Sequence, residues 1–327
     1  VQSVLGLFAE ELFRRLGAAP HAKILRELAR RVGRAKPFAW DYVDDVVIPD
    51  FLLNDVIDRA LAEDLAGGDI TSDATVPADE RAVARAVARS TLIVCGGPVF
   101  ARAFYRVDPG LRVEERLAEG SLAQRGDVLW LVEGSARAIL KAERTALNFA
   151  QRMSGVASLT RDFVDAVPRG AKLRIADTRK TTPGLRFLER YAVRTGGGNN
   201  HRDCLGSAVL IKDNHIVAAG GIHPAVKRAR EHAPHTSRIE VEVESLEQLD
   251  EALDAGAEVV MLDNFAHEHL KEAVSRARGR ALVEVSGGIT LERIGPLAFL
   301  GIDIVSIGAL THSAPAADIG LDIERIG

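Results

Sequence analysis

Six segments between residues 173 and 309 share one layout: LRIADTRKTT, VLIKDNH, IEVEVE, VVMLDN, LVEVSGGI and IVSIGA. Each is a short apolar run that stops at charged, amide or glycine residues. Strands are predicted at 172–177, 207–212, 238–243, 258–263, 281–285 and 302–307. Helical periodicity falls between them, near 156–167, 184–194, 223–232, 246–255, 267–277 and 291–299. Connections of that length are too long for hairpins, so the sheet must be parallel. Parallel strands with chemistry at their carboxyl ends point to an α/β barrel. Six of them make an open or incomplete, six-stranded barrel.

The rest of the chain reads differently. Residues 51–61 are helical, 67–72 read as a turn and loop, and alternation near 83–95, 111–117 and 127–133 predicts half-buried antiparallel strands. The expected organisation is a helical extension at 1–45, a sandwich-like α+β domain at 46–146 and a catalytic barrel at 147–309. Residues 310–327 are expected to return to the α+β domain. A helix over 136–152 turns Ile139, Leu140, Leu147 and Ala150 inward, and its spacing puts Arg144 on that apolar face. An arginine there must snorkel, pair, or reach an interface or a ligand.

The first 37 residues repeat apolar positions at helical spacing: Leu5, Phe8, Leu12 and Leu16, then Ile24, Leu25, Leu28 and Val32. Glu10, Glu11 and Glu27 speak against a transit peptide, which is poor in acids. A packed helical extension, or residues translated from upstream of the true start, fits better.

Composition excludes several classes of function. The formal charge of -4 argues against a general nucleic-acid surface. No apolar run is long enough for a transmembrane helix. Two cysteines, Cys95 and Cys204, fit neither a metal spacing nor a disulfide framework, so a cytoplasmic setting is expected.

Charge separates along the predicted barrel. Residues 172–212 carry Lys172, Arg174, Arg179, Lys180, Arg186, Arg190, Arg194, Arg202 and Lys212 against only Asp177, Glu189 and Asp203. The next strand ends carry Glu240, Glu242, Glu244 and Asp263. Because strand ends converge, the expected product is a pocket with a cationic wall and a carboxylate wall, suited to a polyanion and a divalent metal. Arg179 can grip a carboxylate or phosphate through two parallel bonds. The chain has eight lysines against 34 arginines, so Lys180 and Lys212 at strand ends stand out. A solvated basic turn is the alternative. Gly196, Gly197 and Gly198, next to His201 and Arg202, are expected to offer free backbone N–H groups to anions. Ser286, Gly287 and Gly288, with Gly308 and Ala309, end the last strands and read as phosphate turns or as ordinary βα turns.

Taken in order, DTRKT from Asp177, RTGGGNNHR from Arg194, IKDNH from Ile211, EVE from Glu240, MLDN from Met261, SGGI from Ser286 and GALTHS from Gly308 resemble the quinolinate phosphoribosyltransferase family. GDITS from Gly68 and ERTALN from Glu143 match as well. The resemblance implies phosphoribosyl transfer from PRPP to quinolinate with loss of CO2, with Mg2+, giving nicotinate mononucleotide and pyrophosphate for NAD synthesis. It implies a quinolinate wall of Arg144, Arg179, Lys180, His201, Arg202 and Lys212. Lys180, Glu242 and Asp263 become the catalytic group, the two carboxylates on the ribose and metal side. Ser286, Gly287, Gly288, Gly308 and Ala309 become the PRPP phosphate turns. It also implies a homodimer in which one N-terminal domain helps close the partner's barrel, with no nucleic-acid or membrane partner. A related barrel transferase with a different carboxylate acceptor, and a non-catalytic anion-binding protein, are the competing readings.

Overall fold

The computed structural model describes residues 48–265 and 267–326, so the predicted N-terminal helices lie outside the described residues. Helix α1 (Asp50–Leu65) buries Leu53, Val56, Ile57 and Leu61, one face at helical spacing. Residues expected to form a loop instead begin a short helix, α2 (Ile70–Thr75), because the Asp69 carboxylate accepts the Ser72 N–H and caps it.

Strand β1 (Arg81–Ala88) sends Ala82, Ala84 and Ala86 into the core between outward arginines. After β2 (Leu92–Ile93), helix α3 (Gly97–Val107) buries Val99, Phe100, Ala103 and Phe104; the sequence reading has no counterpart for it. Then come β3 (Arg112–Glu115), β4 (Leu122–Ala123) and β5 (Val128–Ser135). The first sheet has the order β12-β1-β5-β3, where β12 (Ile319–Arg325) pairs antiparallel with β1. The end of the described chain thus returns to the first sheet.

One helix, α4 (Ala136–Asp165), replaces the two predicted around 136–152 and 156–167. Gly155 does not break it. A Cβ there would lie 1.9 Å from the Pro315 carbonyl oxygen, so the glycine lets the chain cross close to the helix. Leu140 is only half-buried and Arg144 is exposed, which corrects the inward face predicted for both.

The parallel elements follow in βα order: β6 (Arg174–Ala176), α5 (Arg186–Thr195), β7 (Val209–Ile211), α6 (Asp213–Ala219), α7 (Ile222–His232), β8 (Ile239–Val243), α8 (Leu246–Asp254), β9 (Val259–Asp263), α9 (His267–Ala277), β10 (Leu282–Ser286), α10 (Leu291–Leu300), β11 (Ile304–Ser306) and α11 (Ala309–His312). The sheet order β6-β11-β10-β9-β8-β7 leaves β6 and β7 as its two edges. Among the described residues, a single parallel bridge, Ala176 to Asn199, extends the β6 edge into the seam between β6 and β7. Val241, Val243, Val260, Leu262, Val283, Val285 and Val305 are buried, so the barrel is packed and its polar side chains are confined to the remaining positions.

Candidate active site

A cavity of about 340 Å³ opens at the carboxyl ends of these strands. Arg179, Lys180, His201, Arg202 and Lys212 line one side, and Glu242, Asp263 and Ser286 the other. Thr178, Leu210, Met261 and Ser306 complete it. Convergence of distant residues at strand ends follows from the parallel register, which sets Glu242 and Glu284 either side of Met261, and Ser286 beside Asp263.

On the cationic side, the chain around Lys180 is pinned while its side chain is exposed. The Lys180 N–H donates to Thr178 Oγ1 at 3.1 Å, and its carbonyl accepts from Thr311 Oγ1 at 2.7 Å. Gly308 lies beneath it, where a Cβ would come within 3.1 Å of Lys180 Cδ. Arg179 is half-buried, and its Nε is shielded from water without a protein acceptor. Burial, followed by the charge of nearby Arg179, draws the Arg202 guanidinium below its usual proton affinity. Two neighbouring guanidiniums that repel each other are a seat waiting for an anion.

The opposite wall carries oxygen ligands. Glu242 Oε2 accepts from Lys212 Nζ at 2.5 Å, and Asp263 Oδ2 from Asn264 Nδ2 at 3.0 Å. Among the described residues, no hydrogen bond engages the second oxygen of either carboxylate. Half-buried carboxylates with free oxygens on adjacent strands fit a hard divalent cation, which binds through a few carboxylates while keeping waters or substrate oxygens. Beside them the chain turns at Gly287 and Gly288, whose φ values are 89° and 55°. A Cβ on Gly287 would lie 2.2 Å from Asn264 Oδ1, so a side chain is excluded. Among the described residues, no backbone or side-chain acceptor takes the N–H groups of Gly287, Gly288, Gly308 or Ala309. Arg293, which the sequence reading did not single out, donates to the Gly288 carbonyl at 2.9 Å and so stands at this turn.

The floor is polar and sealed. Asp177 is fully buried and accepts from the His201 N–H at 2.7 Å and from Asn200 Nδ2 at 2.6 Å, with Arg190 3.6 Å away. Burial raises its proton affinity, while Arg190 and these donors oppose the rise. His201 Nε2 lies 3.2 Å from Glu240 and 3.5 Å from Glu284, and its Nδ1 accepts the Arg202 N–H at 2.8 Å. Burial draws the imidazole's proton affinity down, but Glu240 and Glu284 outweigh it and leave the affinity raised. The Arg202 N–H fills the Nδ1 lone pair, so in this conformation the ring carries its proton on Nε2, toward the carboxylates. Burial, then the charge of Glu240, pushes Glu284 up to about 7.

One expectation is corrected. Gly196, Gly197 and Gly198 offer no free N–H: they donate to the carbonyls of Ala192, Arg194 and Val193. Their role is close packing, since a Cβ at Gly196 would lie 2.5 Å from the Ala157 carbonyl oxygen and one at Gly198 2.8 Å from Thr160 and Val193. Arg144 does not line the cavity in its own chain. It borders a separate cavity of about 240 Å³ with Glu63, Asp64, Asn148 and Arg152. The structure also adds Glu284, whose signal was an acid in the middle of the apolar run LVEVS.

A parallel barrel whose strand ends set unpaired cations opposite carboxylates defines a class, barrel proteins that bind polyanions at their carboxyl-terminal mouth. Within that class, two family models match. The C-terminal domain of quinolinate phosphoribosyl transferase matches residues 156–322 and the N-terminal domain residues 69–154. The chain is 47% identical over 276 residues to nicotinate-nucleotide pyrophosphorylase [carboxylating] of Mycobacterium leprae, covering 82% of this chain and 96% of that one. It is 40% identical over 271 residues to a probable nicotinate-nucleotide pyrophosphorylase [carboxylating] of Bacillus subtilis, covering 83% and 93%. The solved structure of NadC from Streptococcus pyogenes superposes with a TM-score of 0.83 at 37% identity, covering 86% of this chain and all of that one. The chain belongs to the quinolinate phosphoribosyltransferase family.

Proposed function

We infer that this enzyme transfers phosphoribosyl from PRPP to quinolinate and releases CO2 and pyrophosphate, forming nicotinate mononucleotide for NAD synthesis. The observation that carries this reading is the pocket itself, in which Arg179, Arg202 and Lys180 face Glu242 and Asp263. Quinolinate has two adjacent carboxylates, and the neighbouring guanidiniums of Arg179 and Arg202 suit them. Lys180 supplies a movable charge over the same seat, and Lys212, held by Glu242, joins the two walls.

PRPP enters with its phosphates toward the free N–H groups of the Ser286–Gly288 turn and of Gly308 and Ala309. Its ribose C1 then faces the acceptor nitrogen. As the bond to pyrophosphate lengthens, C1 gains oxocarbenium character, which Glu242 and Asp263 stabilise electrostatically. The ring nitrogen takes the vacated position on C1. Once that nitrogen is quaternary, the adjacent carboxylate leaves as CO2 and a proton replaces it. No nucleophilic side chain is needed. The exposed Cys204 has no part in this scheme.

Glu242 and Asp263, directly or through water, are the residues that hold Mg2+, which neutralises phosphate charge when bound. The active assembly is a homodimer in which Arg144, exposed on α4, reaches the partner's pocket. No helix among the described residues is long and apolar enough to cross a membrane. Two free cysteines suit the reducing cytoplasm.

An acceptor panel with PRPP and Mg2+, followed for pyrophosphate and CO2, tests the activity. Release of both only with quinolinate supports the reading; pyrophosphate release with a monocarboxylate, without CO2, would replace the acceptor.

A further inference from the structure

Beneath the substrate seat, behind His201, lie two buried carboxylates that do not line the cavity. Glu240 and Glu284 are 7% and 2% exposed, they come from β8 and β10, and both reach the His201 imidazole. Neither Glu240 Oε1 nor Glu284 Oε1 has a hydrogen-bond partner. Aliphatic side chains ordinarily fill such a barrel layer, and buried, incompletely satisfied carboxylates are costly. Their placement therefore calls for a role that an apolar floor could not fill.

The seam supplies that role. Residues 199–208 cross the gap between β6 and β7, and a single β-bridge at Asn199 is the only ladder contact this crossing makes among the described residues. Side chains hold the rest: Asp177 accepts from Asn200 and His201, Arg190 donates to the His201 carbonyl at 2.6 Å, and Arg202 donates to the Ala208 carbonyl at 3.0 Å. These anchors come from the end of β6, from α5 and from the crossing segment itself. The imidazole alone among these groups reaches across the lumen, to strands β8 and β10. Its other nitrogen holds the Arg202 N–H.

We propose that Glu240 and Glu284 are positioning residues that act through His201: they fix its Nε2–H tautomer, so that Nδ1 anchors the main chain from which Arg202 reaches the acceptor seat beside Arg179. The proposal rests on the reading of Arg202 as a quinolinate ligand. It predicts damage to acceptor binding in particular, because the brace supports the Arg202 side of the pocket and not the Gly287–Gly288 turn.

The test is steady-state kinetics of Glu240→Ala, Glu284→Ala and the corresponding Gln variants, together with 15N NMR of the imidazole. Each Ala variant should raise the KM for quinolinate about tenfold or more while leaving that for PRPP within about twofold. Glu240→Gln should recover most of the loss, since its amide oxygen can still accept from Nε2–H, and Glu284→Gln less of it, since Glu284 acts on the ring through its charge. Wild-type His201 should show Nδ1 unprotonated and Nε2 protonated. The proposal is overturned if the quinolinate KM stays within about twofold in folded Ala variants, or if both KM values rise together, as general loosening of the barrel would cause. If the Ala variants do not fold, the Gln variants and the tautomer decide, and an Nδ1–H tautomer overturns it. Stoichiometric metal bound by His201, Glu240 and Glu284 in the purified enzyme would also overturn it, because these groups would then be ligands. Arg202→Ala separates the two levels: an unchanged quinolinate KM there removes the acceptor reading, whereas a raised KM beside unaffected Glu variants removes only the brace.

Discussion

The rim of the cavity and its floor both carry ionisable groups, but they are held in opposite ways. On the rim, Lys180 is exposed and, among the described residues, Arg179 lacks a partner at Nε and Asp263 meets only its neighbour Asn264. On the floor, both Asp177 oxygens and His201 Nδ1 accept hydrogen bonds, His201 Nε2 faces two carboxylates, and Glu240 and Glu284 are closed off from water. The rim keeps unsatisfied charge where a substrate can satisfy it. Of the floor groups only His201 lines the cavity; Asp177, Glu240 and Glu284 keep their charge behind it, so their energy goes into the shape of the chain above. Substitutions on the rim should therefore cost activity and spare stability, and substitutions on the floor should cost stability as well.

The largest expected effect is on the rim. Arg179→Ala removes a charge-assisted contact worth about 1.5–3 kcal/mol, so kcat/KM for quinolinate should fall about 10- to 150-fold. Lys180→Ala should be nearly inactive. The exposed Lys180 should leave stability within about 0.5 kcal/mol of wild type. A folded Arg179→Ala enzyme with unchanged quinolinate kinetics would remove the rim from the acceptor site; a large loss of Tm in Lys180→Ala would erase the contrast with the floor.

Arg144 sharpens the comparison because it belongs to neither region of its own chain. If it completes the partner's rim, Arg144→Ala and Lys180→Ala homodimers each lack one group at every site. A heterodimer of one chain of each kind has one doubly damaged site and one intact site. Mixing should then restore up to about half of wild-type activity if the sites act independently. Heterodimers shown to form, yet no more active than either parent, would place Arg144 outside catalysis.

On the floor, Asp177→Ala leaves Arg190 without its carboxylate and frees two donors, from Asn200 and His201. Breaking a buried ion pair in this way costs about 3–5 kcal/mol. Chemical denaturation should show that loss, with activity falling as the 200–202 segment loosens. A loss under about 1 kcal/mol would mean the floor is not held as described.

What was legible in the sequence follows the same division. The six strands and the residues at their carboxyl ends were readable because each apolar run stops sharply at its functional residues, and a parallel barrel brings all those stops to one mouth. Glu242 and Asp263 come together by register alone. The errors arose where distant contacts decide. Gly196–Gly198 look like a free anion loop locally, yet Ala157 and Thr160 on α4 take the space that side chains would fill. Ile139, Leu147 and Ala150 are buried as expected, but Leu140 is only half-buried at the edge of that face, and Arg144, one turn on, is exposed. The return of the last residues to the first sheet was expected, but the register that sets Arg325 opposite Ala82 was not, because local pattern carries no information over that separation. Glu284 was visible as an acid inside a buried strand, but its partner His201 lies far away in sequence, so its role was not.

The smallest effect is a pH dependence. Glu284 has its proton affinity raised in the folded state, to about 7, so the native protein holds that proton more tightly than the unfolded chain does. Its contribution to stability is fully present below the ordinary carboxylate range and is lost as pH rises through about 7. Glu284→Gln keeps a neutral group of the same shape at all pH values. Between about pH 5 and pH 7 the variant should therefore lose less stability than wild type, by a difference on the order of 1–3 kcal/mol. Urea midpoints measured across that range in both proteins check it. Parallel curves would mean that Glu284 is ionised in the folded protein throughout, and that the sealed floor carries its full negative charge.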